Sequence, residues 1–212
     1  MRPPFSITLE PADVTLAQRV QELAVACYSH ALKTSPAVLL DGMHGRVLDT
    51  ALRGIGAHEG SLWLAEETGH ALLPVWNNGP DAQRFVGSFR LPSTQGITGL
   101  VFSTGLSVCE SEVCFSDKQH RGLDDELGVL TWAMLAAPLS FFGEVRGVIT
   151  AVRLVRRDSL SSLPKSRADW PADVPVPESF SVENLALIEQ AAAVLGRLLE
   201  HRFQSWAIGG ES

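Results

Sequence analysis

Two cysteines five positions apart are the residues whose type and spacing first raise the question of chemistry. Cys109 and Cys114 lie in the stretch QGITGLVFSTGLSVCESEVC, residues 95–114. Such a pair could serve as a redox couple, as half of a metal site, or as part of a pocket wall. In a continuous strand an odd separation places two side chains on opposite faces, here roughly 17 Å apart, whereas the Cα atoms of a disulfide lie within about 7 Å. The spacing therefore argues against a disulfide between them, unless a turn at residues 111–112 brings them together.

Other catalytic and metal-binding patterns are missing from the sequence. It contains no G-x-S-x-G, no phosphate loop and no H-E-x-x-H, and no Cys/His pair follows the two cysteines at zinc spacing. The acidic cluster Asp124, Asp125 and Glu126 has no second carboxylate group at a recognisable distance, which is typical of a solvated loop or a helix start. We therefore predict no catalytic residue, no metal site and no enzymatic activity.

Composition and charge narrow the class of protein and of partner. The chain has 212 residues, a net charge of -7 and three cysteines. The negative balance, with no basic cluster beyond VRRD at 155–158, disfavours nucleic acid and anionic membranes as partners. The low, odd cysteine count fits a reducing compartment, and the most apolar run, at 130–143, is too short to span a bilayer. We expect one soluble, cytoplasmic domain over residues 1–212, with a core from about 12 to 203.

The periodicity of apolar residues predicts the elements that position these side chains. A stripe at spacings of three and four predicts a first helix over residues 13–32, and a second helix is expected over about 40–54. Short runs rich in β-branched or aromatic residues predict strands at 60–66, 71–77 and 87–92, then a short helix and a strand in 93–113. The clearest hairpin turns at residues 142–144.

The last part of the chain predicts a flexible insertion followed by a long helix. Residues 156–180 are rich in Pro, Ser and Asp without periodicity, and the helix begins at Ser181 as its N-cap, with Phe180 and Leu185 as a hydrophobic staple. Two apolar stripes run along this helix, so that one can cover the sheet while the other needs a second helix or a partner copy. The predicted class is α+β, with a five- to six-stranded antiparallel sheet, short helices inserted between strands, and a long final helix.

Four ordered segments resemble a GAF domain. They are GSLWLAEE with LLPVW, QGITGLVFSTGLSVCESEV, MLAAPLSFFGEVRGVITAV, and FSVENLALIEQAAAVLGRLLEHR, and together they cover roughly residues 40–203. The positions that match the family pattern are Gly96, Gly99, Thr104, Gly105, Pro138, Leu139, Gly143, Gly147, Val148, Phe180 and Leu185. The resemblance implies a small-molecule sensory domain with a GAF/PAS-like fold, commonly dimeric through its first and last helices.

The resemblance also implies that the terminal helices pack on one face of the sheet and that, on the other face, the inserted short helices roof a cavity. Its candidate ligand-binding residues are Phe89, Thr98, Cys109, Phe115, Thr131, Trp132 and Met134. Of the two cysteines, Cys109 is the one expected to face the ligand.

The family's known cofactor patterns leave the ligand and any cofactor unknown. The motif of cyclic-nucleotide-binding members matches only at Phe180, and the cysteine followed by His that carries bilins is absent. Haem would need an inward-facing histidine, and His120 is the one in the region that could roof the pocket.

Three hypotheses about function follow. The first is a stand-alone regulatory domain that binds an unidentified small molecule, forms a homodimer through its terminal helices, and signals to a partner protein. The second is a thiol-based reductase of the free methionine sulfoxide reductase type that uses Cys109 or Cys114, although the cysteines of that branch cannot be aligned with these. The third is a ligand-free dimerisation module.

Overall fold

The computed structural model describes residues 11–34, 39–40 and 42–209. The helices are α1 (Pro11–Thr34), α2 (Gly42–Gly54), α3 (Ala82–Phe85), α4 (Gly96–Thr104), α5 (Gly122–Leu127) and α6 (Val182–Ala207). The strands are β1 (Glu59–Ala65), β2 (Ala71–Asn77), β3 (Leu91–Pro92), β4 (Val108–Ser111), β5 (Val129–Phe141) and β6 (Glu144–Arg156). The ends of the predicted domain, residues 1–10 and 210–212, lie outside the described residues. No helix in the described part of the chain is long and apolar enough to cross a membrane.

The six strands form one antiparallel sheet in the order β3-β2-β1-β6-β5-β4. Its centre is the predicted hairpin, in which Phe141 of β5 pairs with Glu144 of β6. The two turn residues, Phe142 and Gly143, both have positive φ, at 55° and 78°. That conformation matches the right-handed twist of the strands and allows the tightest hairpin connection. The backbone N–H of Phe142 also donates to the Glu200 carboxylate of α6, which fixes the hairpin tip on the helix.

The two faces of the sheet are covered by different helices. Helices α1 and α6 pack on each other, and α6 lies across β5, whereas α4 and α5 lie on the opposite face. Alternation along β1 divides the two sides, since Leu62 and Leu64 face the helix side and Trp63 faces the other. We call residues 93–128 the roof, because α4 and α5 in this segment cover the second face, while β4 between them is the edge strand of the sheet. The α+β class and this two-sided arrangement confirm the sequence prediction.

The third predicted strand is the element that differs most from expectation. The sequence predicts a strand over residues 87–92, but β3 is only Leu91–Pro92. The preceding residues continue from α3 in a tight turn, where the N–H of Phe89 donates to the carbonyl of Phe85 and Gly87 has a φ of 80°. Phe85 is almost fully buried, so its burial holds the chain in this turn. Tertiary packing here outweighs the local strand preference.

The segment before α6, predicted to be a flexible insertion, is anchored by buried side chains. Leu160, Trp170 and Phe180 are each buried. Trp170 packs against Trp132 at 4.8 Å between ring centroids, and its indole N–H donates to the carbonyl of Val174 at 3.0 Å. These anchors return the chain to the sheet, while the flexibility of its exposed residues stays a prediction.

Helix α6 begins at the predicted N-cap. The Ser181 hydroxyl accepts from the backbone N–H of Asn184, and the Asn184 side-chain oxygen accepts from the N–H of Ser181, at 3.3 and 3.1 Å. This reciprocal capping satisfies two helix-end donors. Phe180 and Leu185 both pack into the helix-side core, as a hydrophobic staple requires. The start of the longest helix is therefore fixed by local sequence.

Candidate functional site

A cavity of about 100 Å³ lies between the sheet and the roof. The sheet contributes Glu59, Ser61 and Trp63 of β1, Asn77 of β2, Leu91 of β3, Val129, Thr131 and Met134 of β5, and Thr150, Val152 and Leu154 of β6. The other wall comprises Phe85, Phe89, Gly96, Ile97, Thr98, Gln119, His120, Leu123, Asp124 and Leu127. The cavity therefore occupies the position that the sequence predicted for a ligand.

Strand alternation explains why these sheet residues face the cavity. Thr150, Val152 and Leu154 share one face of β6, whereas Arg153 between them points to the other face. Val152 and Leu154 are only partly buried although β6 lies in the middle of the sheet. Partly exposed apolar side chains on a central strand indicate space that the chain itself does not fill.

A buried carboxylate forms the polar centre of one wall. Asp124 of α5 is 9% exposed and accepts from the backbone N–H of Thr131, from its hydroxyl and from the Gln119 amide, at 2.9, 2.9 and 2.6 Å. Gly128, with a φ of 66°, ends α5 so tightly that β5 starts within reach of this side chain. Burial raises the pKa of Asp124, while the hydrogen bonds from Thr131 and Gln119 act in the opposite direction.

A second carboxylate lies in the wall formed by β1, β2 and β6, where side chains donate three hydrogen bonds. Burial, followed by the nearby Asp81 charge, raises the pKa of Glu59. The Asn77 amide donates to the Gly60 carbonyl and to the Ser61 hydroxyl, both at 3.0 Å. The indole N–H of Trp63 donates to the Thr150 hydroxyl at 3.1 Å. These bonds hold the polar side chains of the sheet in fixed orientations.

Close backbone packing joins α4 to the loop that carries His120. Gly96 has a φ of 70°, and a Cβ placed there would lie 2.9 Å from the Cβ of His120. Only glycine meets both conditions without strain. The His120 ring contacts Phe89 edge-on at 6.4 Å between centroids, which places it at the cavity wall. Gly96, which the sequence marks as an architectural residue, therefore allows α4 to pack closely against the loop at His120.

The structure places four of the seven predicted ligand-binding residues in the cavity wall. These are Phe89, Thr98, Thr131 and Met134. The other three, Cys109, Phe115 and Trp132, do not line it. That the four contact a ligand stays a prediction.

Trp132 lies on the helix side because of strand geometry, and Phe115, in a 3₁₀ turn, packs against it there. Adjacent residues of a strand point to opposite faces, so Thr131 and Trp132 cannot both face the cavity. A β-bulge between Thr131 and Ala133 then shifts the register, so that Met134 faces the cavity again. Trp132 instead packs edge-on with Phe115 and Trp170, at 6.1 and 4.8 Å between ring centroids.

The two cysteines are separated by a break in β4. Glu112 adopts a φ of 55° and ends the strand, and Cys114 follows in a 3₁₀ turn, Val113–Phe115, where it is buried. Cys109 is exposed, and its thiol lies 3.6 Å from the Phe180 carbonyl, to which it donates. All three cysteines of the chain are free thiols. The structure thus places Cys109 beside the start of α6 and away from the cavity.

We expect both thiols to react slowly at neutral pH. Although Cys109 as a residue is exposed, partial burial of its thiol, with a smaller contribution from Glu110, raises its pKa. Burial raises the pKa of Cys114 to about 11. Because the thiolate is the nucleophile, we expect Cys114 to hold at pH 7 a thiolate fraction a few hundredfold smaller than free cysteine. Reaction with a disulfide reagent in a Cys27→Ser background should be slow at pH 7 and should accelerate towards pH 9. A fast phase at pH 7 that disappears in Cys109→Ser would contradict this.

The sequence does not single out the carboxylate at the centre of the wall. Its pattern groups Asp124 with Asp125 and Glu126 as a solvated cluster, and these two neighbours are indeed exposed. No spacing in the sequence distinguishes the first residue of this cluster from the other two. Its role depends on the turn at Gly128 and on the Thr131 groups that the turn brings near.

Comparisons with known proteins agree with this architecture. A GAF domain family model matches residues 45–199. The GAF domain of a phosphoenolpyruvate-protein phosphotransferase from Coxiella burnetii is 17% identical, with a TM-score of 0.56, over 91% of this chain and 98% of that one. Its counterpart from Acinetobacter is 16% identical, with a TM-score of 0.53, over 92% and 97%.

A third solved structure supports the same fold. The GAF domain/HD domain protein from Geobacter sulfurreducens is 15% identical, with a TM-score of 0.53, over 83% of this chain and 97% of that one. No curated protein sequence matches. At these identities the structural likeness concerns the fold, and the family model covers most of the chain. The chain belongs to the GAF domain family.

Proposed function

We propose that this chain is a regulatory domain that binds a small molecule in the cavity and passes its occupancy to a partner protein. The observation that carries the proposal is the cavity itself, which combines an apolar wall with a few oriented polar groups around Asp124. Ligand sites in proteins commonly have this composition. The same cavity favours ligand binding over a module kept only for dimerisation. The proposal includes no catalytic step, and the raised pKa values of Cys109 and Cys114 support that choice.

Three contacts connect the roof to the segment that leads into α6. The Cys109 thiol donates to the Phe180 carbonyl, and the Arg167 guanidinium lies 3.4 Å from the Glu112 carboxylate. Phe115 packs edge-on against Trp170 at 6.4 Å between centroids. A ligand that binds one arrangement of the roof more tightly than another shifts the balance towards the first, and these contacts change with that shift. The size of the shift is limited by the difference between the two affinities.

The turn between β4 and α5 links the two sides of the sheet. Val113 packs in the core under the roof, whereas Cys114 and Phe115, the next two residues, pack in the helix-side core. A shift of Val113 caused by the ligand would therefore also move residues on the side where α6 lies. This continuity of packed side chains supports a route from the cavity to α6.

Exposed apolar residues on the long helices form a surface for contact with another protein chain. Leu187 and Val194 of α6 and Leu16 and Leu23 of α1 are exposed, and each pair is seven residues apart. That spacing keeps two residues on one stripe of a helix. We propose a homodimer through these stripes. The sequence predicts that the second stripe of α6 needs another helix, and α2 covers that stripe only in part, since Ala191 is buried while Leu187 and Val194 are exposed.

The proposed function is tested by native mass spectrometry and hydrogen exchange. Protein purified from its own source should carry a bound molecule, and the spectrum should also report a dimer. Adding that molecule to emptied protein should slow amide exchange in the roof and at residues 182–190 of α6. Protection confined to the roof would refute the coupling, and a tight ligand that leaves the roof unprotected would refute the site.

Filling the cavity should abolish ligand binding without loss of stability. Val152 is partly buried and lines the cavity, so Val152→Phe places additional ring atoms in space that is now empty. We expect Tm to stay unchanged or to rise, because filling a void restores dispersion contacts. The copurifying molecule should be absent from the native mass spectrum of this variant. Val182→Phe, at an exposed position of α6, is the matched control and should retain it.

A further inference from the structure

We propose that the ligand is a small organic cation, namely a protonated amine on an apolar body of a few carbon atoms, with its ammonium group bound by Asp124. This inference rests on the proposed function, since it names the class of molecule that the same cavity would take.

The charged residues of the wall all have the same sign. Glu59 and Asp124 line the cavity, and no Lys or Arg side chain does so among the described residues. An anionic ligand would meet two carboxylates without a compensating cation, and burying a charge without a partner is costly. A cationic ligand would instead form charge-assisted hydrogen bonds, which are the stronger kind.

The side-chain N–H donors of Trp63, Asn77 and Gln119 each have a partner within the protein. The indole N–H of Trp63 donates to Thr150, and the Asn77 amide donates to Gly60 and Ser61. The Gln119 amide nitrogen donates to Asp124 at 2.6 Å. This orientation leaves the Gln119 amide oxygen as an acceptor, and a donor such as ammonium can use it.

The Asp124 carboxylate has an acceptor position left for a hydrogen bond and a negative charge with which to bind a cation. Its Oδ2 accepts two of the three hydrogen bonds and its Oδ1 accepts one, which leaves a lone pair on Oδ1. Arg157, the cation that acts on this carboxylate, is ion-paired with Asp125 and donates to the Val129 carbonyl at 2.9 Å. Much of its charge is therefore engaged on the solvent side, and the Asp124 charge remains available to a ligand.

The size and the apolar part of the cavity set the rest of the molecule. A volume of about 100 Å³ holds an organic ligand of roughly six non-hydrogen atoms. Trp63 and Phe89 pack edge-on at 6.2 Å between centroids, and with Met134 they form an apolar and aromatic wall. Aromatic faces attract cations in addition to burying carbon. A branched alkylammonium ion of five carbons fits both requirements.

The decisive test compares three probes of one shape and different charge. Isopentylamine, isopentyl alcohol and isovalerate are titrated into the emptied wild-type protein at pH 7 by calorimetry. We expect the amine to bind about tenfold more tightly than the alcohol, because it exchanges a neutral hydrogen bond for a charge-assisted one. Isovalerate should not bind measurably. Equal or tighter binding of the alcohol or the carboxylate, or no binding of any probe, overturns the inference.

Two variants locate the charge that selects the amine. Asp124→Asn should bind the amine and the alcohol about equally, provided that its circular dichroism matches the wild type. Glu59→Gln should keep the preference for the amine, since this carboxylate acts only through its field. If Asp124→Asn does not fold, the wild-type ranking and Glu59→Gln decide the question. If the native mass spectrum shows a copurifying anion, the inference that the ligand is a cation is wrong, while the proposed regulatory role stands.

Discussion

Gly196→Ala is expected to destabilise the protein by about 3 kcal/mol, at the upper end of the cost of overpacking. Gly196 is buried in α6 where the helix crosses β5, and a Cβ at this position would overlap the backbone carbonyl oxygen of Ser140. A backbone carbonyl in a paired strand cannot rotate away as a flexible side chain can. The helix would have to lift from the sheet, which separates Leu195 and Leu199 from the core on either side of the contact. Thermal unfolding should show a Tm lowered by roughly 10 °C.

The same substitution elsewhere on a helix provides the control. A Cβ added to Gly45 of α2 would have only the indole nitrogen of Trp76 within 4 Å, at an ordinary contact distance of 3.5 Å. Gly45→Ala should stabilise the protein by about 0.5–1 kcal/mol through helix propensity alone. Equal effects of the two substitutions would show that α6 does not approach β5 this closely.

Arg153→Met is expected to cost about 3 kcal/mol of folding free energy, because it removes three hydrogen bonds from a charged donor to backbone carbonyls, and the bond to Ile55 is buried. Arg153 is 9% exposed, and its guanidinium donates to the carbonyls of Ile55, Gly56 and Ser179 at 3.0, 3.2 and 3.3 Å. It also lies over the Phe180 ring at 4.5 Å. One side chain thus joins the end of α2 to the start of α6, and methionine retains much of the volume while removing every donor.

The effect of Arg153→Met should be local as well as global. Chemical denaturation measures the loss of stability, and hydrogen exchange should show faster exchange at residues 182–190 than in β5. Arg156→Met is the matched control on the same strand, since Arg156 is exposed and its one ion pair, with Asp158, has a nitrogen–oxygen distance of 3.6 Å. An exposed pair of this kind contributes less than about 1 kcal/mol. Comparable losses from the two variants would contradict the role assigned to Arg153.

Local sequence predicted the elements where their signals lie within a few residues. The N-cap at Ser181 and the hairpin at Phe142–Gly143 both depend on neighbouring residues, and both occur where the sequence predicts them. The two-residue β3 shows the opposite case. The strand is shorter than predicted because Phe85 is buried and the residues after it form a turn. The residue types within 87–92 do not indicate that contact.

The sequence by itself determined the order of the elements, since apolar periodicity and turn residues act over short distances along the chain. It determined the family through four ordered segments that resemble a GAF domain, and that resemblance implied the cavity between sheet and roof. Only the tertiary structure decided which side chains form the wall. Alternation along β5 turned Trp132 to the helix side, and the bulge between Thr131 and Ala133 returned Met134 to the cavity. The positive φ of Glu112 separated Cys109 from Cys114. Asp124 became the central polar group because the turn at Gly128 brings the Thr131 donors to it. A cavity wall is assembled from residues far apart in sequence, and a one-residue change of register exchanges the two faces of a strand.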